Sequence, residues 1–176
     1  MNGTRRLEEL CAKEDIRDCL CRYARGVDRA DRDLLRSAYW PEATENHGGR
    51  FEGLGYDFIE NVLPQLVEGK GLAQKLLGQS SIDILGEHAN VETYFFSYNR
   101  IKNKANTLID LFVGGRYLDK MERRGNEWRV AKRTVVFDWF REGPAYDYEA
   151  GILGNKRMMG KLGPFDPVYE LYSKKP

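Results

Sequence analysis

A carboxylate at the end of an early apolar helix face is the residue in this chain best placed to do chemistry. Leu20, Tyr23 and Val27 recur with the period of an α-helix, and Asp28 follows directly after this face ends. Asp28 is therefore either a surface charge at a helix end or a partly desolvated acid. Only the second alternative leads to catalysis, because desolvation raises the pKa of a carboxyl group toward the working range of a general base.

Composition limits the class of protein. The chain has 176 residues, enough for one domain with a substantial core, and its 28 Lys and Arg balance 27 Asp and Glu. This balance argues against a nucleic-acid-binding surface, which normally carries a basic excess.

The apolar runs are too short to span a bilayer, and the polar N-terminus lacks the apolar segment of a secretory signal. Three cysteines lie in the first helical region without clustered histidines, which favours reduced thiols over disulfides or a zinc site. We expect a cytoplasmic protein without a metal, cofactor, nucleic-acid partner or membrane anchor.

Helical periodicity dominates the first part of the chain. Three helices are predicted, over residues 5–29, 31–39 and 56–68. Leu7 and Leu10 are out of phase with the later apolar positions, which predicts a break in the first helix near residues 12–14. Asp31 is the expected N-cap of the second helix, and Pro64 is expected to kink the third. A short hairpin or strand is predicted over residues 43–52.

Beyond residue 75 the apolar period changes from 3.6 to 2, the period of a β-strand. Four strands are predicted, over residues 75–85, 89–100, 107–123 and 128–140. In the first of them Leu76, Ile82 and Ile84 are expected on one face, and Lys75 on the other. Helices followed by an antiparallel meander predict an α+β fold, a cone-shaped, strongly curved antiparallel sheet packed on the N-terminal helices. The open end of such a cone is a natural pocket for a small molecule.

Two parts of the chain differ in pattern. Residues 1–142 are expected to form the cone domain. Residues 143–176 lose periodicity and are rich in Gly, Pro and Tyr. We expect this C-terminal extension to wrap the domain or a neighbouring subunit.

A set of motifs between about Ile16 and Phe140 resembles the SnoaL-like branch of the nuclear transport factor 2-like superfamily. The motifs are Tyr23–Asp28, Tyr39–Ala43, Leu77–Ala89, Glu92–Tyr94, Gly114–Asp119, Glu122–Gly125 and Trp128–Arg133. Members that the chain resembles include scytalone dehydratase, hexachlorocyclohexane dehydrochlorinase and lyases that act on lignin-derived aromatic dimers. The resemblance implies cofactor-free elimination or C–C cleavage, and a homo-oligomer, either a trimer or a dimer.

The resemblance also implies site residues. Asp28 matches the family's aspartate, and Arg133 matches an arginine that the dehydrochlorinase carries on its last strand. The family's histidine falls at Lys75, so the usual Asp–His pair is absent, and Tyr23 stands where the dehydrochlorinase has a lysine. These four residues are the expected catalytic group. The expected substrate-binding residues are Trp40, His47, Gln79, Tyr94 and Phe137.

A site with these groups suits a hydroxylated aromatic substrate. Loss of a benzylic hydroxyl, assisted by a phenolate, gives a quinone methide, which then loses a proton or releases a hydroxymethyl carbon as formaldehyde. Lys75 or Arg133 would stabilise the phenolate or help the hydroxyl leave, and Asp28 would be the base of the second step. The expected function is a cofactor-independent lyase, a dehydratase or a deformylating enzyme acting on a lignin-derived diarylpropane diol. The alternatives are a ketosteroid-type isomerase using Asp28 or Asp110, and a non-catalytic β subunit of a ring-hydroxylating dioxygenase.

Overall fold

The fold combines helices and one sheet, as seen in a computed structural model that describes residues 3–68, 73–147 and 158–173. The elements in chain order are α1 (Gly3–Arg29), α2 (Arg32–Ser37), β1 (Tyr39–Asn46), β2 (Glu52–Leu54), α3 (Gly55–Glu68), β3 (Ala73–Leu85), β4 (His88–Lys102), β5 (Leu108–Arg124), β6 (Glu127–Pro144), a 3-10 turn (Gly163–Phe165) and α4 (Val168–Ser173). The α+β class and the predicted order of helices and strands are confirmed.

The six strands form one curved, unclosed sheet in the order β2-β1-β6-β5-β4-β3. The pairs from β3 to β6 are antiparallel, as predicted, and so is the β1–β2 hairpin. Strand β1 instead runs parallel to β6, with Tyr39 opposite Val130 and Asn46 opposite Thr134. The sheet is therefore mixed rather than purely antiparallel. The long connection through α3 and β3–β5 makes this parallel pairing possible, because parallel neighbours need a crossover.

Helix α1 is continuous, so the predicted break near residues 12–14 is wrong. Leu7 and Leu10 are 61% and 57% exposed, whereas Ile16 and Leu20 are buried. The two early leucines are out of phase because they lie on the solvent side of one straight helix. The buried face of α1 packs against β3, β6 and α2.

The short helix α2 begins as predicted at Asp31, whose Oδ1 accepts a hydrogen bond from the Leu34 N–H at 3.0 Å. It ends at Ser37, and Tyr39 already belongs to β1. Gly26 of α1 lies against α2, since a Cβ at this position would come within 2.8 Å of the Leu35 side chain. This close approach places the C-terminal end of α1 firmly against the rest of the domain.

A β-bulge in β3 changes which residues face the core. The pairing of β3 with β4 shifts between Leu77 and Ser80, so the alternation changes phase there. Lys75, Ile82 and Ile84 consequently share the inner face, while Leu76 is 58% exposed. The predicted single alternation, with Leu76 beside the isoleucines and Lys75 opposite, is wrong because a regular period of 2 cannot contain the extra residue.

The described part of the C-terminal extension packs against the end of α1. The Tyr169 hydroxyl donates to Asp31 Oδ2 at 2.5 Å, and Asp166 forms an ion pair with Arg29 at 3.2 Å. The Arg25 guanidinium lies 4.5 Å from the ring centroid of Tyr172. The predicted extension also includes residues 148–157 and 174–176, which lie outside the described residues.

No helix in the described part of the chain has the length and apolar character needed to cross a membrane. The cytoplasmic location expected from the sequence stays a prediction.

Candidate active site

A cavity of about 120 Å³ lies between α1, α3 and the concave face of the sheet. Five aromatic side chains line it: Tyr23, Phe58, Phe95, Tyr117 and Phe137. The polar groups on its wall are His47, Arg50, Gln65, Lys75, Ser97 and Asn99. It shares five residues with an outer pocket of about 720 Å³, so the two form a continuous recess. An apolar cleft with a few convergent polar groups is the usual form of a small-molecule site.

Lys75 and Asp28 meet where α1 ends and β3 begins. Lys75 pairs with Ser97 in the sheet, which places both on the concave face. The Lys75 backbone N–H donates to Asp28 Oδ2 at 3.0 Å, while Asp28 Oδ1 is buried and has no hydrogen-bond partner among the described residues. Asp28 itself does not line the cavity; it lies behind Lys75.

Burial shifts the pKa of both groups toward the neutral form. Desolvation raises the pKa of Asp28, and the positive charge of Lys75 only partly opposes this shift. Desolvation likewise lowers the pKa of Lys75, opposed by the negative charge of Asp28. Such a pair of mutually dependent shifts beside a cavity is typical of a functional site.

His47 on the cavity wall forms a second polar pair with Glu45, which does not itself line the cavity. His47 Nε2 lies 2.6 Å from Glu45 Oε1, and the Tyr39 hydroxyl donates to Glu45 Oε2 at 2.7 Å. The side chain of Glu45 is completely buried. The His47 ring stacks on Phe58, with 4.2 Å between the centroids.

Arg133 does not join the cavity, contrary to the expected catalytic group. It is completely buried and donates two hydrogen bonds of 2.7 Å each to the carboxylate of Asp119, its neighbour across β5 and β6. The guanidinium lies between the rings of Tyr23 and Tyr117, 4.1 and 4.2 Å from their centroids. The guanidinium of Arg133 therefore makes its contacts within the core, behind the cavity wall, and does not line the cavity.

The remaining expected site residues divide into two groups. Tyr23, His47 and Phe137 line the cavity, and burial raises the pKa of Tyr23 to about 12. Trp40 does not line it, and its Nε1 donates to the Glu122 carbonyl at 3.1 Å.

Gln79 and Tyr94 also lie away from the cavity. Both are exposed on the outer face of the sheet. For Gln79 the cause is the β-bulge, which turns this part of β3 away from the concave face.

The cavity residues Phe58, Ser97 and Asn99 were missed from the sequence, and so was Glu45, the partner of His47. Glu45 and His47 are two residues apart at the end of a strand, a spacing that places side chains on one face. That spacing was the available signal. The part of the chain that the structure describes holds no group of three or more His, Cys, Asp or Glu side chains that could hold a metal ion.

Comparison with known proteins agrees with the fold. Residues 8–134 match the family described as the SnoaL-like domain. No curated protein sequence matches the chain. A type 2 hexachlorocyclohexane dehydrochlorinase is similar in structure, with a TM-score of 0.69 and 15% identity over 81% of this chain and 95% of that one. A type 3 dehydrochlorinase from Novosphingobium barchaimii has a TM-score of 0.68 and 16% identity, covering 81% and 97% of the two chains.

A scytalone dehydratase-like protein from Novosphingobium aromaticivorans is also similar, with a TM-score of 0.63 and 17% identity over 86% of this chain and 97% of that one. At such identities the likeness shows the fold, which several different activities share. The family match covers well over half of the residues. This chain therefore belongs to the SnoaL-like domain family of the nuclear transport factor 2-like superfamily.

Proposed function

We propose that this protein is a cofactor-independent lyase that acts on a small hydroxylated aromatic substrate. The observation that carries the proposal is the Lys75 side chain on the wall of an aromatic cavity, with the Asp28 carboxylate bound to the Lys75 backbone. The similar structures named as dehydrochlorinases and as scytalone dehydratase-like support an elimination reaction. The aromatic wall favours a substrate that contains a ring.

Lys75 is proposed to act on the first step. The phenolate of a para-hydroxyphenyl alcohol pushes electrons toward the benzylic carbon, and the C–O bond breaks with its electron pair. The Lys75 ammonium donates the proton that converts the departing hydroxide into water, leaving a quinone methide. Asp28 opposes the effect of burial on the pKa of Lys75, so it helps keep this proton available.

The second step removes a proton from the quinone methide. Loss of a C–H proton completes a dehydration and leaves an alkene. Loss of the O–H proton of a neighbouring hydroxymethyl group breaks the C–C bond instead, which releases formaldehyde. The C–C electron pair forms the new C=C bond, and the exocyclic C=C pair of the quinone methide restores the ring as a phenolate. Asp28 was the expected base, but it lies behind the cavity wall in this structure. We therefore propose it as the partner of Lys75 rather than as a group that contacts the substrate.

The isomerase alternative loses support at Asp110. Asp110 accepts hydrogen bonds from Arg100 at 2.7 and 3.0 Å, from the Tyr98 hydroxyl at 2.8 Å and from the Tyr146 N–H at 2.9 Å. These bonds and the charge of Arg100 lower the pKa of Asp110 despite the opposing desolvation. A carboxylate so satisfied is a poor general base.

The test is turnover by the pure protein without added cofactor. The substrates are para-hydroxyphenyl alcohols and diarylpropane diols, with conjugated product followed by ultraviolet absorbance and formaldehyde by a colour reaction. We expect a styrene-like or stilbene-like band that Asp28→Asn greatly weakens. The matched control is Asp83→Asn, on the exposed side of β3. No product from any substrate would overturn the lyase proposal and favour the non-catalytic β-subunit alternative.

We also propose a homo-oligomer, a dimer or a trimer. The outer face of the sheet exposes an aromatic patch formed by Phe96, Phe112 and Trp139, which are 37–48% exposed. The Phe96 ring lies 6.4 Å from that of Phe112 and 5.8 Å from that of Trp139. Exposed apolar patches of this kind favour association. A stable monomer in sedimentation would contradict this proposal.

A further inference from the structure

The histidine missing from the expected Asp–His pair has a counterpart elsewhere on the same cavity. We propose that His47, oriented by Glu45, is the proton acceptor in the second step of the elimination; this inference rests on the proposed function. Both His47 and Lys75 line the cavity. His47 comes from the turn after β1, whereas Lys75 comes from the start of β3, so the two groups approach the cavity on separate elements.

Glu45 determines which nitrogen of His47 is free. His47 Nε2 lies 2.6 Å from Glu45 Oε1, and because a carboxylate accepts hydrogen bonds we assign the hydrogen of the neutral ring to Nε2. Nδ1 then keeps its lone pair, and no partner for it occurs within the described ranges. A neutral imidazole with one bound N–H and one free lone pair is the form of histidine that accepts a proton.

The surroundings of Glu45 indicate that its charge serves His47. Arg133 is a buried cation linked to Glu45 through Tyr39, but Asp119 already neutralises it with two hydrogen bonds of 2.7 Å. Among the described residues, the link from Arg133 to Glu45 runs through the Tyr39 hydroxyl, to which Arg133 donates at 3.3 Å. Glu45 is thus a completely buried carboxylate that is not needed to balance Arg133. A carboxylate in this position stabilises the imidazolium that forms when His47 accepts a proton.

Packing holds the imidazole in one plane. The ring stacks on Phe58 with an interplanar angle of 20°, and it lies 6.3 Å from the ring of Phe137. Its side chain keeps 16% exposure, so the proton it accepts can reach solvent through the outer pocket. Glu45 acts through His47 and is a positioning residue, whereas His47 itself lines the cavity and contacts the substrate.

The proton transfer balances in both branches. Nδ1 of His47 forms a bond to the substrate hydrogen, and the electron pair of the broken C–H bond becomes the new C=C bond. In the formaldehyde branch, the pair of the broken O–H bond becomes the C=O bond of formaldehyde. The pair of the broken C–C bond becomes the C=C bond of the product. In both branches the exocyclic C=C pair of the quinone methide returns to the ring, which becomes an aromatic phenolate. The imidazolium afterwards loses its proton to water.

Turnover provides the first test, because the chain has only two histidines and His88 is exposed. We expect His47→Ala to lower kcat about 100-fold or more, and added imidazole to restore part of the loss. Glu45→Gln should lower kcat about 10- to 100-fold, since it removes the charge behind the ring while keeping its shape. His88→Gln should leave kcat unchanged. Full turnover by His47→Ala, while Lys75→Gln is inactive, would overturn the role of His47 but would still support the proposed lyase function. A loss of turnover in His47→Ala that imidazole does not restore would also contradict it.

Nitrogen NMR provides a test that does not need turnover. In the His88→Gln variant, labelled histidine gives the signals of His47 alone. At mildly alkaline pH we expect a protonated Nε2 and an unprotonated Nδ1, and the Nδ1 signal should shift when para-cresol is added. A protonated Nδ1, or no shift with para-cresol, would overturn the inference. If the wild type turns over no substrate while these NMR results hold, the lyase proposal fails but the phenol-binding histidine stands.

Discussion

The backbone N–H of Lys75 donates to the Asp28 carboxylate at 3.0 Å, and this bond joins the last turn of α1 to the first residues of β3. One contact thereby unites the two residues that the sequence places 47 positions apart. The Lys75 side chain reaches the cavity because Lys75 pairs with Ser97 on the concave face of the sheet. The other oxygen of Asp28 has no hydrogen-bond partner among the described residues, so one of the two carboxylate oxygens is buried without a hydrogen bond.

Asp28→Asn should stabilise the protein while it removes activity. Burial raises the pKa of Asp28 above its ordinary 3.8, so ionising this group costs folding free energy as pH rises through the raised pKa. Asparagine avoids the charge and keeps an acceptor for the Lys75 N–H. We expect the variant to be more stable by about 1 kcal/mol at neutral pH, a gain in Tm of about 2–4 °C.

The pH dependence of this gain checks its cause. Below about pH 3 the carboxyl group of the wild type is protonated in both the folded and unfolded states, so the difference in Tm should vanish. Thermal unfolding followed by circular dichroism across this range measures it. A gain that stays constant down to acid pH would show that the charge of Asp28 is not the origin.

Arg133→Met should destabilise the fold by about 3–5 kcal/mol, because it leaves Asp119 charged and unpaired in the core. Both side chains of this ion pair are completely buried. Denaturant unfolding of Arg133→Met gives the free energy, and Arg123→Met is the matched control, since the Arg123–Glu87 pair is exposed. Adding Asp119→Leu to Arg133→Met should recover part of the loss. A change below about 1 kcal/mol for Arg133→Met would contradict the structural role.

Gly115→Ala should lower the free energy of unfolding, because the neighbouring residues leave no space for a Cβ at this position. A Cβ there would lie 2.3 Å from the Val136 carbonyl oxygen and 3.0 Å from the Phe95 ring. Phe95 lines the cavity, so the strain should reach the site as well. We expect a loss of about 1–3 kcal/mol in the free energy of unfolding. Gly143→Ala, which meets nothing within 4 Å, should change stability by less than about 0.5 kcal/mol. Equal stabilities for the two variants would show that the close approach at Gly115 is absent.

Tyr169→Phe should loosen the C-terminal extension without disturbing the sheet. The substitution removes the hydrogen bond to Asp31 at 2.5 Å and leaves the ring contact with Arg25. Amide hydrogen exchange in residues 161–172 should become about 10-fold faster, while exchange in β4 and β5 stays unchanged. The control is Tyr172→Phe, which should not change exchange. Unaltered exchange in Tyr169→Phe would mean that this hydrogen bond does not hold the extension.

Much of the fold could be predicted from the sequence, because local signals specify its elements. The change of apolar period near residue 75 identified the strands, and the N-cap at Asp31 identified the start of α2. The parallel pairing of β1 could not be predicted, since strand neighbours depend on long-range contacts. Nor could the β-bulge in β3, because one extra residue leaves no mark in a short alternation.

The candidate site was harder to predict, and two residues illustrate why. Lys75 lines the cavity, whereas Arg133 forms an ion pair with Asp119 inside the core. Both are cations on the inner face of the sheet, so their sequence positions look equivalent. The two cations differ in the residue that stands opposite them in the sheet. Arg133 lies opposite the carboxylate of Asp119 and pairs with it, while Lys75 lies opposite the neutral Ser97. Sequence alone does not reveal which partner stands across a strand pair.

The most direct test of the account is the kcat of Lys75→Gln on the best substrate of the para-hydroxyphenyl panel. Lys120→Gln, an exposed lysine on β5, is the matched control. We expect Lys75→Gln to lower kcat about 100-fold or more at unchanged fold, because Lys75 is the proposed donor of the proton to the leaving hydroxyl. Lys120→Gln should retain the kcat of the wild type. Equal kcat values for the Lys75→Gln variant and the wild type would contradict the account.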